Sequence, residues 1–177
     1  MIHPNPTRRA LLAAAAASAL PALAAPVPDS LLLHRDGKPV RLRSDVWRER
    51  RALVNFVFTG CSSFCGVQSA MLAHLQDRLG PRLGPELVLI SISVDPLNDD
   101  PPRLAAFAKP FAPGLHWWWL TGRPDTVFAT LDALGASPGA NPADHGPLWL
   151  AGPAGAPRRI VGMPGVEQLE RALGGAA

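Results

Sequence analysis

Residues 52–58 read ALVNFVF and residues 87–94 read LVLISISV. Both are short apolar runs rich in branched and aromatic residues, which is typical of strands buried on both faces of a sheet. Between them, apolar residues recur at helical spacing from Gly66 to Leu79, and Gly80-Pro81 ends the helix. A strand, a helix and a second strand in this order predict a right-handed crossover and an α/β fold.

The rest of the chain continues this alternation. Asp36-Gly37 is a strong hairpin turn signal, which predicts an N-terminal hairpin. Asp100-Pro101 offers an N-cap followed by proline at the first helical position. We therefore expect a central mixed sheet flanked by helices. The remaining predicted elements are a helix over 103–108, a strand over 117–120, a helix over 125–134, a hairpin over 148–151 and 158–161, and a helix over 166–173.

Composition favours one globular domain. The chain has 177 residues, of which 47% are hydrophobic, close to the usual globular fraction. Its net charge of +3 falls to +1 without Arg8 and Arg9, because 15 basic residues then face 14 acidic ones. Nucleic-acid binding needs a clustered basic face, and no such run is present. We therefore expect no nucleic-acid partner.

The first 24 residues resemble an export signal. Arg8 and Arg9 precede an apolar run over 10–23, which is too short to span a bilayer and is followed by small residues suited to cleavage. The paired arginines resemble the twin-arginine variant, with an ordinary Sec signal as the alternative. We expect cleavage near Ala25, a folded domain over 25–177 with no stable membrane span, and a periplasmic location. A retained N-terminal anchor is a further alternative.

The two cysteines of the chain follow the first buried strand at the start of the predicted helix. Residues i and i+4 lie on one side of a helix, so Cys61 and Cys65 can bind one metal ion, and a small change in the turn would allow a disulfide. Unpaired N–H groups at a helix start also favour the thiolate, which is the nucleophile and the metal ligand. An inert structural disulfide remains the alternative, although a bridge closing so short a loop stabilises little.

A third ligand would have to come from elsewhere in the chain. His145 ends a long irregular loop just before the predicted strand at Leu148, whereas His74 lies within a helix. A loop histidine is usually an exposed side chain with no special role. Spacing alone therefore leaves the role of His145 open.

Four motifs in order resemble the SCO/SenC family across nearly the whole chain after the signal. They are TGCSSFC over 59–65, ISVDP over 92–96 with Asp99 and Pro101 following, LTG over 120–122, and Asp144-His145. The resemblance implies a thioredoxin-like fold and an exported or membrane-anchored protein. It also implies a role in maturing the dinuclear copper centre of cytochrome c oxidase, by copper delivery or thiol reduction.

Carried over to this chain, the resemblance implies that Cys61 and Cys65 bind copper as thiolates, that His145 binds it through its imidazole, and that the two cysteines form a redox pair. Two thiolates suit Cu(I), and an added imidazole gives a site that can also hold Cu(II). The implied partner is the copper-bearing oxidase subunit or another copper chaperone. This chain departs from the family at two glycines. Gly66 follows the second cysteine, where the family usually has proline, and Gly146 follows the Asp-His pair, where the family usually has serine.

Two other functions remain open. The cysteine pair could serve a metal-independent periplasmic thiol-disulfide oxidoreductase, or a peroxide-reducing protein of the same fold. For Asp95 and Asp99, a strand-ending turn with helix capping is favoured over an acidic pair beside the copper loop. The tryptophans at 117–119 are expected to pack in the core, with alternate rings on one face of the sheet.

Overall fold

The computed structural model describes residues 26–174. Their seven strands form one sheet with the order β2-β1-β5-β4-β3-β6-β7. The strands are β1 (Leu31–His34), β2 (Pro39–Arg41), β3 (Arg51–Val57), β4 (Leu87–Ser93), β5 (Trp117–Thr121), β6 (Leu148–Pro153) and β7 (Arg158–Val161). The helices are α1 (Cys65–Leu79), α2 (Pro101–Ala108), α3 (Pro124–Ala133) and α4 (Val166–Ala172).

The sheet is mixed, as predicted. β3, β4 and β5 are parallel, with Val54 opposite Ile90 and Ile90 opposite Trp118. β1 joins the outer edge of β5 in the antiparallel sense, and β6 does the same on β3. β1 and β2 pair in antiparallel around the Asp36-Gly37 turn. The carboxyl ends of the three parallel strands therefore meet at one edge, where the loops of an α/β protein gather functional residues.

Side-chain alternation divides the core into two layers. On one face of β3, Leu53 and Val57 pack with apolar residues of α1, α2 and α4; on the other, Val54 and Phe56 pack with α3. β5 follows the same rule, because Trp117 and Trp119 are fully buried on the α1 face while Trp118 points to the opposite face. The expected core role of these tryptophans is confirmed.

A buried π-helical turn over Leu42–Trp47 is an element that the sequence pattern did not predict. Its three buried side chains, Leu42, Val46 and Trp47, pack on the face of the sheet that α3 covers. The Trp47 indole donates a hydrogen bond to the carbonyl of Gly152, 3.1 Å away. The turn therefore joins the N-terminal hairpin to β6.

The expected export signal over residues 1–24 lies outside the described residues. Within residues 26–174, no helix combines the length and the apolar character needed to cross a bilayer.

Candidate copper and thiol site

The cysteine motif forms a short loop between β3 and α1. A turn closes at its start, where the amide of Cys61 donates to the carbonyl of Phe58 over 3.2 Å. α1 begins at Cys65, and the amide of Gln68 donates to the carbonyl of Phe64 over 2.8 Å. Because Cys61 lies in the loop and Cys65 in the first turn of α1, the two thiols are held by different elements.

The two thiols differ in exposure. Cys65 is fully buried and packs with the α1-facing core, whereas Cys61 is partly exposed. Both cysteines are free in this structure. The Cys61 sulfur also lies 3.5 Å from the hydroxyl of Ser63. An incoming sulfur or metal ion would therefore meet Cys61 first.

The two thiols also differ in acidity. Burial raises the pKa of Cys61, but hydrogen bonds from the Cys65 thiol and from Ser63 outweigh that effect and hold the pKa below its usual value. Burial raises the pKa of Cys65 to about 12, and the hydrogen bond that it gives to Cys61 adds to the effect. A thiolate therefore forms more easily at Cys61, with Cys65 supplying the proton that stabilises it.

His145 lies against the cysteine loop. It follows a short 3-10 turn over Pro142–Asp144, and its ring meets the edges of two aromatic rings. The ring centroids are 5.0 Å apart for Phe64 and 6.2 Å apart for Phe58. Phe64, one of the three residues between the two cysteines, is thus in contact with the late histidine.

The imidazole of His145 is largely buried and incompletely bonded. It is 8% exposed, and its Nε2 atom has no hydrogen-bond partner among the described residues. Burial lowers the pKa of His145, with the backbone of Gly146 acting in the opposite direction. The ring is therefore neutral near pH 7, which is the form that binds metals. An unpaired buried nitrogen of this kind is free to take a solvent molecule or a ligand.

The structure brings the three predicted ligands to one end of the sheet but does not gather them around a point. Within residues 26–174, no three His, Cys, Asp or Glu side chains are grouped closely enough to hold a metal ion. Cys61 and Cys65 are in contact, whereas His145 reaches the motif through Phe64. Their assignment as copper ligands therefore stays a prediction.

The model of the family described as SCO1/SenC matches residues 29–147. This match covers both cysteines, the loop after β4 and His145, and it spans well over half of the chain. The chain belongs to the SCO1/SenC family.

Individual relatives agree with this SCO1/SenC assignment. The SCO1 protein homolog of Bacillus subtilis (strain 168) is 37% identical over 93 residues, which are 50% of this chain and 45% of that protein. This chain thus matches less than half the length of that relative.

Solved structures show the same fold. BsSco, a member of the Sco family of cytochrome c oxidase assembly proteins in which a disulfide switch was identified, superposes with a TM-score of 0.69 at 25% identity, covering 86% of this chain and 94% of that one. ScoI of Arabidopsis thaliana with copper bound superposes with a TM-score of 0.68 at 21% identity, covering 87% and 98%. The predicted thioredoxin-like fold is confirmed.

Two of the departures from the SCO1/SenC pattern, Gly66 and Gly146, lie in open space. A Cβ atom added at Gly66 or at Gly146 would meet no atom within 4 Å. Neither glycine has the positive φ that side chains avoid. The presence of glycine at these two positions is therefore not required by steric constraints, and nothing else in the structure explains it.

One expectation about the acidic residues of the loop after β4 is corrected by the structure of this SCO1/SenC protein. Asp100 caps α2 by accepting from the amide of Arg103 over 2.8 Å, as predicted, and Asp95 closes the turn after the strand. Asp99 was expected to belong to the same turn and capping role. Its amide does close that turn onto Asp95, but its side chain caps no helix: it is 1% exposed and accepts hydrogen bonds from Thr59, at the start of the cysteine loop. Sequence spacing could not show this contact, since 40 residues separate the two.

Proposed function

We propose that this SCO1/SenC protein is a copper-binding assembly factor that delivers copper to, or reduces the cysteines of, the dinuclear copper site of cytochrome c oxidase. Cys61, Cys65 and His145 hold the copper. The observation that carries the proposal is the contact between His145 and Phe64, because it brings an imidazole to a loop whose two ends are thiols.

The donor set fits copper. Thiolates are soft ligands that favour Cu(I), and an added neutral imidazole allows Cu(II) as well. Zinc would normally ask for a fourth ligand. The Nε2 atom of His145 is buried and has no hydrogen-bond partner among residues 26–174, and with the ring proton on Nδ1 it offers a metal a lone pair.

Metal binding and proton release are linked in such a site. Cys61 has the lower thiol pKa and would bind first. Cys65 must then lose its own proton, and its raised pKa makes the bound form less stable as the pH falls. His145 would complete the site if its loop came closer to the motif. A site with only three protein ligands, one of them near the surface, can pass its metal to a partner.

A second candidate function is supported by the unequal thiols. A thiolate of low pKa that is partly exposed, beside a buried thiol of high pKa, suits thiol-disulfide exchange. Cys61 would attack one sulfur of a partner disulfide and release the other as a thiolate. Cys65 would then lose its proton and attack Cys61, which leaves the Cys61–Cys65 disulfide and a fully reduced partner.

Copper titration of the reduced protein separates the two functions. We expect one copper ion per chain, with a Cu(II)–thiolate absorption band for the oxidised metal. His145→Ala should weaken copper binding strongly while thiol exchange persists. His74→Ala is the matched control, because His74 is an exposed histidine of α1. Unchanged affinity in His145→Ala would refute the ligand assignment. Rapid turnover of disulfides without any copper binding would favour the oxidoreductase.

We further propose that the protein is exported and works in the periplasm. The support is the charged and apolar pattern of residues 1–24. Fractionation of cells expressing the full chain, with sequencing of the mature N-terminus, tests this. Replacing Arg8 and Arg9 together by lysine should block export by the twin-arginine route and leave a Sec signal working.

A further inference from the structure

One buried carboxylate holds the start of the cysteine loop. The Oδ1 atom of Asp99 accepts from the hydroxyl of Thr59 over 2.6 Å, and the Thr59 amide lies 3.1 and 3.2 Å from the two carboxylate oxygens. The Oδ2 atom accepts from the hydroxyl of Ser93 over 2.6 Å. Thr59 follows β3 and Ser93 ends β4, so the carboxylate of Asp99 ties together the ends of two parallel strands.

The backbone of Asp99 is fixed as well. Its amide donates to the carbonyl of Asp95 over 2.8 Å, and its carbonyl accepts from the hydroxyl of Thr121 over 2.6 Å. Thr121 ends β5. The three parallel strands therefore all end on contacts with this one residue, and its side chain has little freedom to move.

The contact between Asp99 and Thr59 constrains Cys61 but not Cys65. Thr59 lies inside the turn that the amide of Cys61 closes onto the carbonyl of Phe58. Cys65 is held separately, by α1 and the core around it. The placement of Cys61 relative to Cys65 thus depends on where the turn leaves β3, and the contact with Asp99 fixes that point.

We propose that Asp99 is a positioning residue that sets the stability of the Cys61–Cys65 disulfide by holding Thr59. The inference rests on the proposed function only in taking the cysteine pair as the working group. A disulfide needs closely defined Cβ positions. Loosening the loop therefore disfavours the disulfide relative to the dithiol.

The measurement is a redox titration of the purified protein against glutathione, without copper. The dithiol gives two electrons and two protons to glutathione disulfide, and the products are the Cys61–Cys65 disulfide and two glutathione thiols. Because copper is absent, the result stands whether or not the protein binds it. Failure of this inference can therefore be told apart from failure of the copper assignment.

Thr59→Val removes the hydroxyl that donates to Asp99 and keeps the branched shape of the side chain. We expect the equilibrium constant for disulfide formation to fall about tenfold, which for a two-electron couple raises the reduction potential by about 30 mV. Thr130→Val is the matched control, because Thr130 is 1% exposed and its hydroxyl bonds to Ser30 in a different part of the fold. The control should leave the potential unchanged. No shift in Thr59→Val, or an equal shift in Thr130→Val, would overturn the proposal.

Two substitutions of Asp99 distinguish its role in positioning Thr59 from the effect of its negative charge. Asp99→Asn removes the charge but retains an oxygen that can accept from Thr59, whereas Asp99→Ala removes both. Positioning predicts a shift of about 30 mV for Asp99→Ala, again a tenfold change, and less than half of that shift for Asp99→Asn. Equal shifts in the two variants would mean that the carboxylate acts through its charge, and would overturn a positioning role. If Asp99→Ala fails to fold, the Thr59→Val measurement still decides.

Discussion

The ring of His145 lies edge-on against the ring of Phe64, with centroids 5.0 Å apart and planes inclined by 68°. Phe64 stands between the two cysteines in sequence and directly precedes α1. Together with the more distant contact of Phe58, this aromatic pair links the thiol pair to the late loop that carries the imidazole.

Replacing Phe64 by leucine should weaken copper binding about two- to tenfold, because an edge-to-face aromatic pair contributes roughly 0.5–1.5 kcal/mol beyond its buried area. Competition with a chromophoric copper(I) chelator measures the change. Phe128→Leu serves as the control, since Phe128 is a partly exposed residue of α3. An affinity equal to that of the unaltered protein would show that Phe64 does not hold His145 for the metal.

Alkylation should distinguish the thiols. In the unaltered reduced protein, Cys61 should react with iodoacetamide at least about tenfold faster at neutral pH than Cys65, because the thiolate is the reactive form. The Cys61 rate should rise with pH and level off above its lowered pKa, while Cys65 should still be gaining reactivity at the alkaline end. Stopped-flow or mass-spectrometric rates across pH provide the test. Similar rates would contradict the assignment of Cys61 as the attacking thiol.

Burial of Asp99 should leave a signature in the dependence of stability on pH. Desolvation raises the pKa of Asp99 above that of an unfolded aspartate, despite hydrogen bonds from Ser93 and Thr59 that act the other way. The stability contributed by the protonated form is therefore complete below about pH 4 and is lost as the pH rises through the folded-state pKa. We compare the free energy of unfolding of the unaltered protein with that of Asp99→Asn, each from urea titration. The difference between the two should fall as the pH rises from about 4 through the folded-state pKa of Asp99. A difference that rises with pH would mean that the folded state favours the carboxylate.

Gly66→Ala should stabilise the protein by about 0.5–1 kcal/mol, because alanine reduces the conformational entropy of the unfolded chain and has the higher helix propensity. The site offers open space in the first turn of α1. Gly80→Ala is the informative comparison. Its surroundings are equally open, but its φ of +48° is unfavourable for a side chain, so this change should destabilise the protein. Chemical denaturation of both variants checks the two signs, and a loss of stability in Gly66→Ala would contradict the prediction.

Local pattern was enough for most of the fold. The run over 52–58 became β3 over Arg51–Val57, and the helical spacing after the second cysteine became α1, which begins one residue earlier than predicted. Apolar spacing reports which face of an element is buried, and that information is carried by near neighbours in sequence. The π-helical turn over Leu42–Trp47 was not predicted because a single turn of six residues is too short to show a hydrophobic period.

The candidate site could be only partly predicted from local sequence pattern. The sequence places Cys61 and Cys65 at a helix start, where thiolates are favoured. It does not reveal that Cys65 is fully buried while Cys61 is not, since the difference comes from the core packed over α1. Deeper burial raises the pKa of Cys65, while hydrogen bonds from Cys65 and Ser63 lower the pKa of Cys61.

By itself, then, the sequence determined the strands, the helices, the family motifs and the position of the thiol pair along the chain, because each is encoded in residues a few positions apart. Only the tertiary structure decided that His145 meets Phe64 and that Asp99 holds Thr59. Those contacts join segments far apart in sequence. They form because the parallel strands end at one edge of the sheet, and no local preference of either segment specifies its partner.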